Sequence, residues 1–521
     1  MNKNQENLPT WSQASRPTLG RDPLGIQATS VRVYRELVPG LTNVTNRLRY
    51  YSFYCWVVRH YETTQHSDDE TRWRIFIRRA EALYVLASEL EDPEGTGGLA
   101  GGDWARAYLR EHGEGRIELR RYTDKPGERN AGQYLLARRG NFGQFYVRSM
   151  TEVGLLQPTT GVPLVSRPRG EELADAFGAA IGSGVEQLIA KTLVSGRLEW
   201  KDAKVIGRAI HPASINGGSK EMRLLRDFLL ANVPDTVDGT PRRSTAWLLL
   251  DLVRRGVSLD DEAAIRRAFY HRMLPRNRPY NQTGQIIDRW RVYQANELCH
   301  LALEVWLNAV ALRIDSYAVG VTPEKVIGDV ITGAFEAREL QGSWQDWATA
   351  IGKADLAQEE EITELVLQAL GDLELAQEKT VLQAAVKLLA IVWARWGGGE
   401  GGVRKQLQHY AGVGGRSLTQ VLASFDAYAA RDAPAAVSVV LQEHVVESHL
   451  TIAARKLAAS AKFTYRFTLS DGVLSDGTTT NYGYTNPRLR NLGRFLRDAK
   501  LCIEDSLTAA GEKFLDENKP A

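Results

Sequence analysis

The chain has 521 residues, with 65 lysines and arginines against 63 aspartates and glutamates, a net charge of +2. That length exceeds what one hydrophobic core organises, so two to four domains are expected. The near-zero charge excludes a global basic field, and any nucleic-acid contact has to come from local patches. The three cysteines, Cys55, Cys299 and Cys502, are far apart and lack a CxxC partner. This disfavours a zinc knuckle or a disulfide framework and fits a reducing compartment.

Residues 1–22 are polar and rich in turn formers, without the apolar centre of a signal peptide. No run is long and apolar enough to span a bilayer, so a cytoplasmic protein without membrane association is expected. The segment from Leu24 to Tyr61 is the most aromatic of the chain. Val44, Leu48, Tyr51, Cys55 and Val58 recur at helical spacing. Arg47, Arg49 and Arg59 sit among Tyr50, Tyr51, Phe53, Tyr54 and Trp56, a mixture that stacks on bases and neutralises phosphates. The competing reading, a buried helix with its tyrosines in a core, is the one favoured. A second amphipathic helix follows, carrying Trp73, Phe76, Ile77, Ala80, Leu83 and Tyr84. The glycine-rich run 95–102 lacks the Gly-Lys-Ser/Thr ending of a phosphate-binding loop and reads as a connector.

From Asn141 to Phe177 the sequence has the order helix, apolar pair, hairpin, small-residue turn, helix. Phe142, Phe145, Tyr146, Met150 and Val153 form the helix face, with Asn141 as its cap and Gly154 at its end. Leu155 and Leu156 form the exit, and a turn leads to Val162–Val165. The next helix carries Leu173, Ala174 and Phe177. The chain's end repeats this order. Leu492, Phe495, Leu496 and Ala499 are followed by Leu501, Cys502 and Ile503, then Leu507, Thr508, Gly511, Phe514 and Leu515. Lys500 stands where Gly154 stood. Both copies resemble half of a winged helix. The middle, 178–396, reads as helix after helix, and 397–402 is a glycine-rich linker. Phe463–Leu469 alternates apolar and polar residues before Asp471-Gly472, a hairpin signal.

The expected fold is therefore mainly α: a multi-domain helical protein with two winged-helix-like units and small β-hairpins. Its divisions are an N-terminal helical domain 1–140, a winged-helix-like unit 141–177, a helical middle domain 178–396, the linker 397–402, and a C-terminal domain 403–521.

The segment with Pro39, Gly40, Thr45, Arg47, Arg49, Tyr50, Phe53 and Trp56 resembles an uncharacterised bacterial family of mobile and phage-defence loci. The resemblance covers about thirty residues. It implies a setting, defence against foreign DNA, and brings no catalytic residues with it.

Three patterns bear on chemistry. Glu199-Trp-Lys201, with Asp175 upstream, has the Glu-x-Lys spacing of restriction-type nucleases, which requires both side chains on one strand face. Arg266 and His271, like Arg404 and His409, have the spacing of helical ribonucleases. His444, Glu447 and His449 lack the i, i+4 histidine spacing of a metal-binding helix, so no metal is assigned. No catalytic residues and no cofactor are assigned. The basic patches are the stronger signal. Arg266, Arg267, Arg272, Arg276 and Arg278 form one of them. Arg490, Arg494 and Arg497 share the outer face of the last copy's helix and form the leading candidate for contact with duplex DNA, with Arg47 and Arg49 second. The reading that follows is a non-catalytic nucleic-acid-binding or scaffold subunit of a bacterial anti-phage defence system, contacting DNA and other subunits of a defence complex. A nuclease effector and a protein-binding adaptor are the alternatives.

Overall fold

Helix starts are set by short polar side chains that accept the free N–H groups of the first turn. Asp69, Ser219, Asp261, Thr322, Ser343 and Asp355 each do this. The computed structural model describes residues 22–42, 44–93, 98–125, 133–231, 238–372, 375, 378–397 and 417–520. Within them the chain is mainly helical, and its sheets are two-stranded.

Two compact units are formed, neither of them continuous in sequence. One contains residues 1–33 and 287–485, the other 34–286 and 486–521. The division differs from the linear one read from composition. The described residues on both sides of run 397–402 belong to a single unit, and 403–521 contributes to both. All of run 397–402 beyond Gly397 lies outside the described residues, as do 95–97 of the other glycine-rich run, Arg404 and His409.

The unit 34–286/486–521 is built around α2 (Arg49–Gln65) and α3 (Glu70–Glu91). Tyr51, Phe53, Tyr54, Tyr61, Trp73 and Tyr84 are fully buried among tilted and edge-on ring contacts, so the aromatic stripe is core. A short helix, Gly102–His112, comes next and leads to the strand β1 (Ile117–Glu118). A five-residue π-helical turn, Phe142–Tyr146, runs into α4 (Val147–Glu152). Asn141 is not its cap, because Asn141 is itself helical in φ and ψ. Glu81 on α3 caps it instead, accepting from the N–H groups of Asn141 at 3.0 Å and Phe142 at 2.6 Å. Then come α5 (Arg169–Ile181), α6 (Ser183–Ser195), β2 (Arg197–Leu198), α7 (Trp200–Ile210), α8 (Lys220–Leu229), α9 (Thr240–Arg254) and α10 (Glu262–His271). Strands β3 (Met273–Leu274) and β4 (Arg278–Pro279) follow as a hairpin.

The other unit centres on α11 (Gln285–Asp315), which begins just before the division. It adds α12 (Pro323–Ala334), α13 (Trp344–Ile351), α14 (Leu356–Gly371), α15 (Lys379–Trp396), α16 (Leu418–Ala427), α17 (Ala433–Leu441) and α18 (Ser448–Ser460). The hairpin β5 (Thr468–Ser470) and β6 (Val473–Ser475) turns at Asp471 and Gly472, both with positive φ as a two-residue turn requires. The strand before it is shorter than the alternation suggests. Thr464 and Arg466 are buried, whereas Leu469 is exposed.

The chain returns to the unit 34–286/486–521 for α19 (Leu489–Asp498), the hairpin β7 (Cys502–Ile503) and β8 (Ser506–Leu507), and α20 (Ala509–Glu517). Here the sequence repeat becomes a structural one. Leu155 N–H donates to Met150 O at 2.8 Å, and Leu501 N–H to Leu496 O at 3.0 Å. Gly154 and Lys500 both have positive φ, which Lys500 adopts without being glycine. Ser166 Oγ donates to Gly154 O and Thr508 Oγ1 to Lys500 O. The N–H groups of Gly170 and Gly511 donate to the same hydroxyl oxygens. A Cβ on Gly170 would stand 2.3 Å from Leu155 O, and one on Gly511 would stand 2.0 Å from Leu501 O. Only glycine permits that approach of helix to hairpin. The two segments are thus copies of one helix–hairpin–helix unit.

Candidate nucleic-acid interface

Arginine placement separates structural from available cations. Arg47 and Arg49 lie at the N-terminal end of α2, and both are buried. Arg47 forms a two-pronged pair with Asp498, at 2.9 and 3.1 Å, while Asp498 also accepts the Leu48 N–H at 2.9 Å. Arg49 binds Glu221 through Nε and Nη2, both at 3.1 Å, and also Ala209 O, His211 O and Ser214 Oγ. Neither guanidinium reaches a phosphate, which removes both from the expected binding face. Arg78 and Arg242 are used in the same way, donating to backbone carbonyls where chain segments end.

Arg490, Arg494 and Arg497 lie one helical turn apart in succession on α19, with Leu492, Phe495, Leu496 and Ala499 buried behind them. Arg490 is exposed, and Arg494 is half-buried with Nη1 3.3 Å from Asn46 Oδ1. Neither makes a salt bridge to a carboxylate among the described residues, although the charge of Asp260 reaches both. Burial, and then the charge of Arg490, lower the Arg494 pKa against the opposing charges of Asp260 and Asp498, so the positive charge of this face is only partly offset. Arg497 differs, because it is engaged by Asp260 at 2.9 and 3.0 Å. Aligned through the shared hydrogen bonds, the first copy has Gln144 at the position of Arg490 and Arg148 at that of Arg494. Arg148 is neutralised by Glu152 at 2.8 Å. The basic face belongs to the second copy alone. The exposed hairpin tip with Arg276 and Arg278 is a further basic element of the same unit.

The nuclease patterns do not assemble. Glu199 precedes α7 and pairs with Arg116, whereas Lys201 lies in the helix, so the two do not share a strand face. Asp175 is bound by Arg59. Arg266 and His271 lie on α10 about 140° apart around its axis and cannot act on one atom. Arg266 is held by Glu262.

In the other unit a polar stripe along α11 escaped the sequence reading. Asn296, Glu297, His300, Glu304 and Asn308 are all buried. Asn308 pairs with both backbone groups of Thr480, and Glu297 accepts the Thr485 N–H at 2.7 Å. The stripe therefore supplies the hydrogen bonds that residues 480–485, without a sheet partner, would otherwise lack. His300 lies between Glu297 at 3.4 Å and Glu304 at 3.2 Å. Burial opposes its charge, but the two carboxylates overcome this and raise its pKa well above the usual value. His449 accepts the Arg466 N–H at Nε2, 2.7 Å away, and faces Pro23 O with Nδ1. It is a neutral structural imidazole with its pKa lowered to about 4 by burial. His444 meets Ser424. Among the described residues no group of three or more His, Cys, Asp or Glu side chains is arranged to hold a metal ion, and no helix is long and apolar enough to cross a membrane.

Compared with protein-family models, curated proteins and solved structures, the chain matches none.

Proposed function

We propose that this chain is a non-catalytic nucleic-acid-binding or scaffold subunit of a bacterial anti-phage defence system, and that the second helix–hairpin–helix copy acts as a winged-helix-like contact to duplex DNA. One observation carries the reading: Arg490 and Arg494 form a cationic face that makes no salt bridge to a carboxylate among the described residues, at positions that are neutral or neutralised in the first copy. A helix with such a face binds phosphates and fixes register on a duplex without needing base contacts. The defence setting rests on the resemblance around Pro39–Trp56.

The test is binding to labelled duplex DNA, single-stranded DNA and RNA across a salt series. Each phosphate contact contributes about 0.9 to the slope of log K against log salt for a duplex. R490E/R494E is expected to lower that slope by about 2 and to weaken binding at every sequence. Unchanged affinity and slope in the double variant would refute the assignment. Absence of binding to all three at low salt would instead favour a protein-binding adaptor, since the same exposed helix face can receive an acidic partner.

A further inference from the structure

A second feature lies beside α2 in the unit 34–286/486–521. Helices α2, α5 and α6 enclose a recess of about 190 Å³ lined by Trp56, Arg59, His60, Asp175, Gly178 and Glu186. It is smaller than sites for drug-sized ligands and suits a group of a few heavy atoms. Its space comes from small residues: Gly178 is buried in α5, with Ala174 and Ala179 beside it.

The wall is chemically ordered. Trp56 Nε1 donates to Glu186 Oε1 at 2.7 Å and fixes that carboxylate. Glu186 Oε2 has no partner among the described residues. The His60 ring stacks on Trp56, with centroids 4.9 Å apart and planes 12° apart. Its other ring neighbour is Phe76. Neither ring nitrogen of His60 has a partner among the described residues. Burial lowers the His60 pKa, partly offset by Glu186, so the ring is neutral at pH 7 and presents a lone pair. Arg59 is engaged by Asp175 and by Glu171 O. With two carboxylates, one arginine and a neutral imidazole, the formal charge of the recess is −1.

We propose that the recess between α2, α5 and α6 is a binding site for a compact organic cation, an alkylammonium or guanidinium group, hydrogen-bonded by Glu186 and His60. Such groups carry several N–H donors and no acceptor, matching a free carboxylate oxygen and an imidazole lone pair. The cation is either a free small amine or a basic side chain presented by a peptide.

The test uses the full chain labelled with ¹³C-histidine, with the His60 signal assigned by H60Q. Methylguanidinium, butylammonium and a blocked peptide containing Lys and Arg are titrated in turn, with sodium chloride as the ionic-strength control. A saturable shift of the His60 signal is expected in at least one cation arm and not with sodium. Saturation by the free cations identifies a small amine as the source, and saturation by the peptide alone identifies a side chain. E186Q keeps an acceptor for Trp56 and should weaken binding at least tenfold. G178A suits a helix interior, yet places a Cβ 3.2 Å from Glu186 Oε1 and 3.5 Å from Trp56, so it should abolish the shift while the far-UV signal stays native. The proposal fails if no cation gives a saturable His60 shift, or if E186Q and G178A titrate like the parent protein.

Discussion

Replacing Arg49 by methionine tests whether the arginines near the start of α2 are structural. The change leaves Glu221, fully buried, with Ser52 Oγ as its remaining hydrogen-bond donor among the described residues, and it removes one donor each from Ala209 O, His211 O and Ser214 Oγ. Breaking a buried ion pair by removing one partner destabilises by about 3–5 kcal/mol. Ser214 still donates to Ala209 O and His211 O, so the loss of the Arg49 donors there adds little to the cost. The expected loss is therefore on the order of 4 kcal/mol, a large share of the stability of a typical domain, about 5–15 kcal/mol. Removing the charge left behind should reverse part of it, since swapping both members of a buried pair for apolar residues is often close to neutral. R49M/E221L is expected to recover about 2 kcal/mol relative to R49M. The exposed Arg490 provides the contrast, with R490A expected within about 0.5 kcal/mol of the parent. Two units need not unfold together. The readout is therefore urea unfolding combined with hydrogen exchange of the α2 and α8 amides. An R49M loss below about 1 kcal/mol, or an R490A loss equal to it, would show that the buried network does not carry this weight.

Two further outcomes follow from the same structure. His449 has its pKa lowered from the usual 6.5 to about 4 by burial, so between those values the unfolded chain binds the extra proton. Its contribution is complete above pH 6.5 and is lost as pH falls toward 4, by roughly 3 kcal/mol at most. The urea midpoint should fall between pH 7 and 4.5, and less so in H449Q; an identical fall in both would remove His449 as the cause. G170A and G511A should each destabilise by about 1–3 kcal/mol, because their added Cβ atoms meet Leu155 O and Leu501 O. G161A, whose Cβ meets nothing within 4 Å, should be neutral, and melting curves in which all three coincide would contradict the equivalence of the copies.

Some of this architecture is written locally. Gly154, Gly170 and Gly511 mark backbone geometry that few other residues adopt, and the repeating apolar spacing around them gives both copies their helix, exit pair and hairpin. Asp471-Gly472 gives its turn for the same local reason. The mainly helical class and the burial of the aromatic stripe also follow from periodicity. Arginine is where local reading ends. Arg49, Arg242 and Arg490 look alike in a sequence, but a carboxylate 172 residues away and carbonyls at distant helix ends claim the first two. The stripe on α11 spells a solvated helix face by composition, yet it is buried because an extended segment more than 170 residues later needs its hydrogen bonds. The composition and local spacing of this chain determined its elements and their turns. Which charges were neutralised, which segments joined each unit, and which cations stayed available were decided by long-range contacts, whose partners no local pattern encodes.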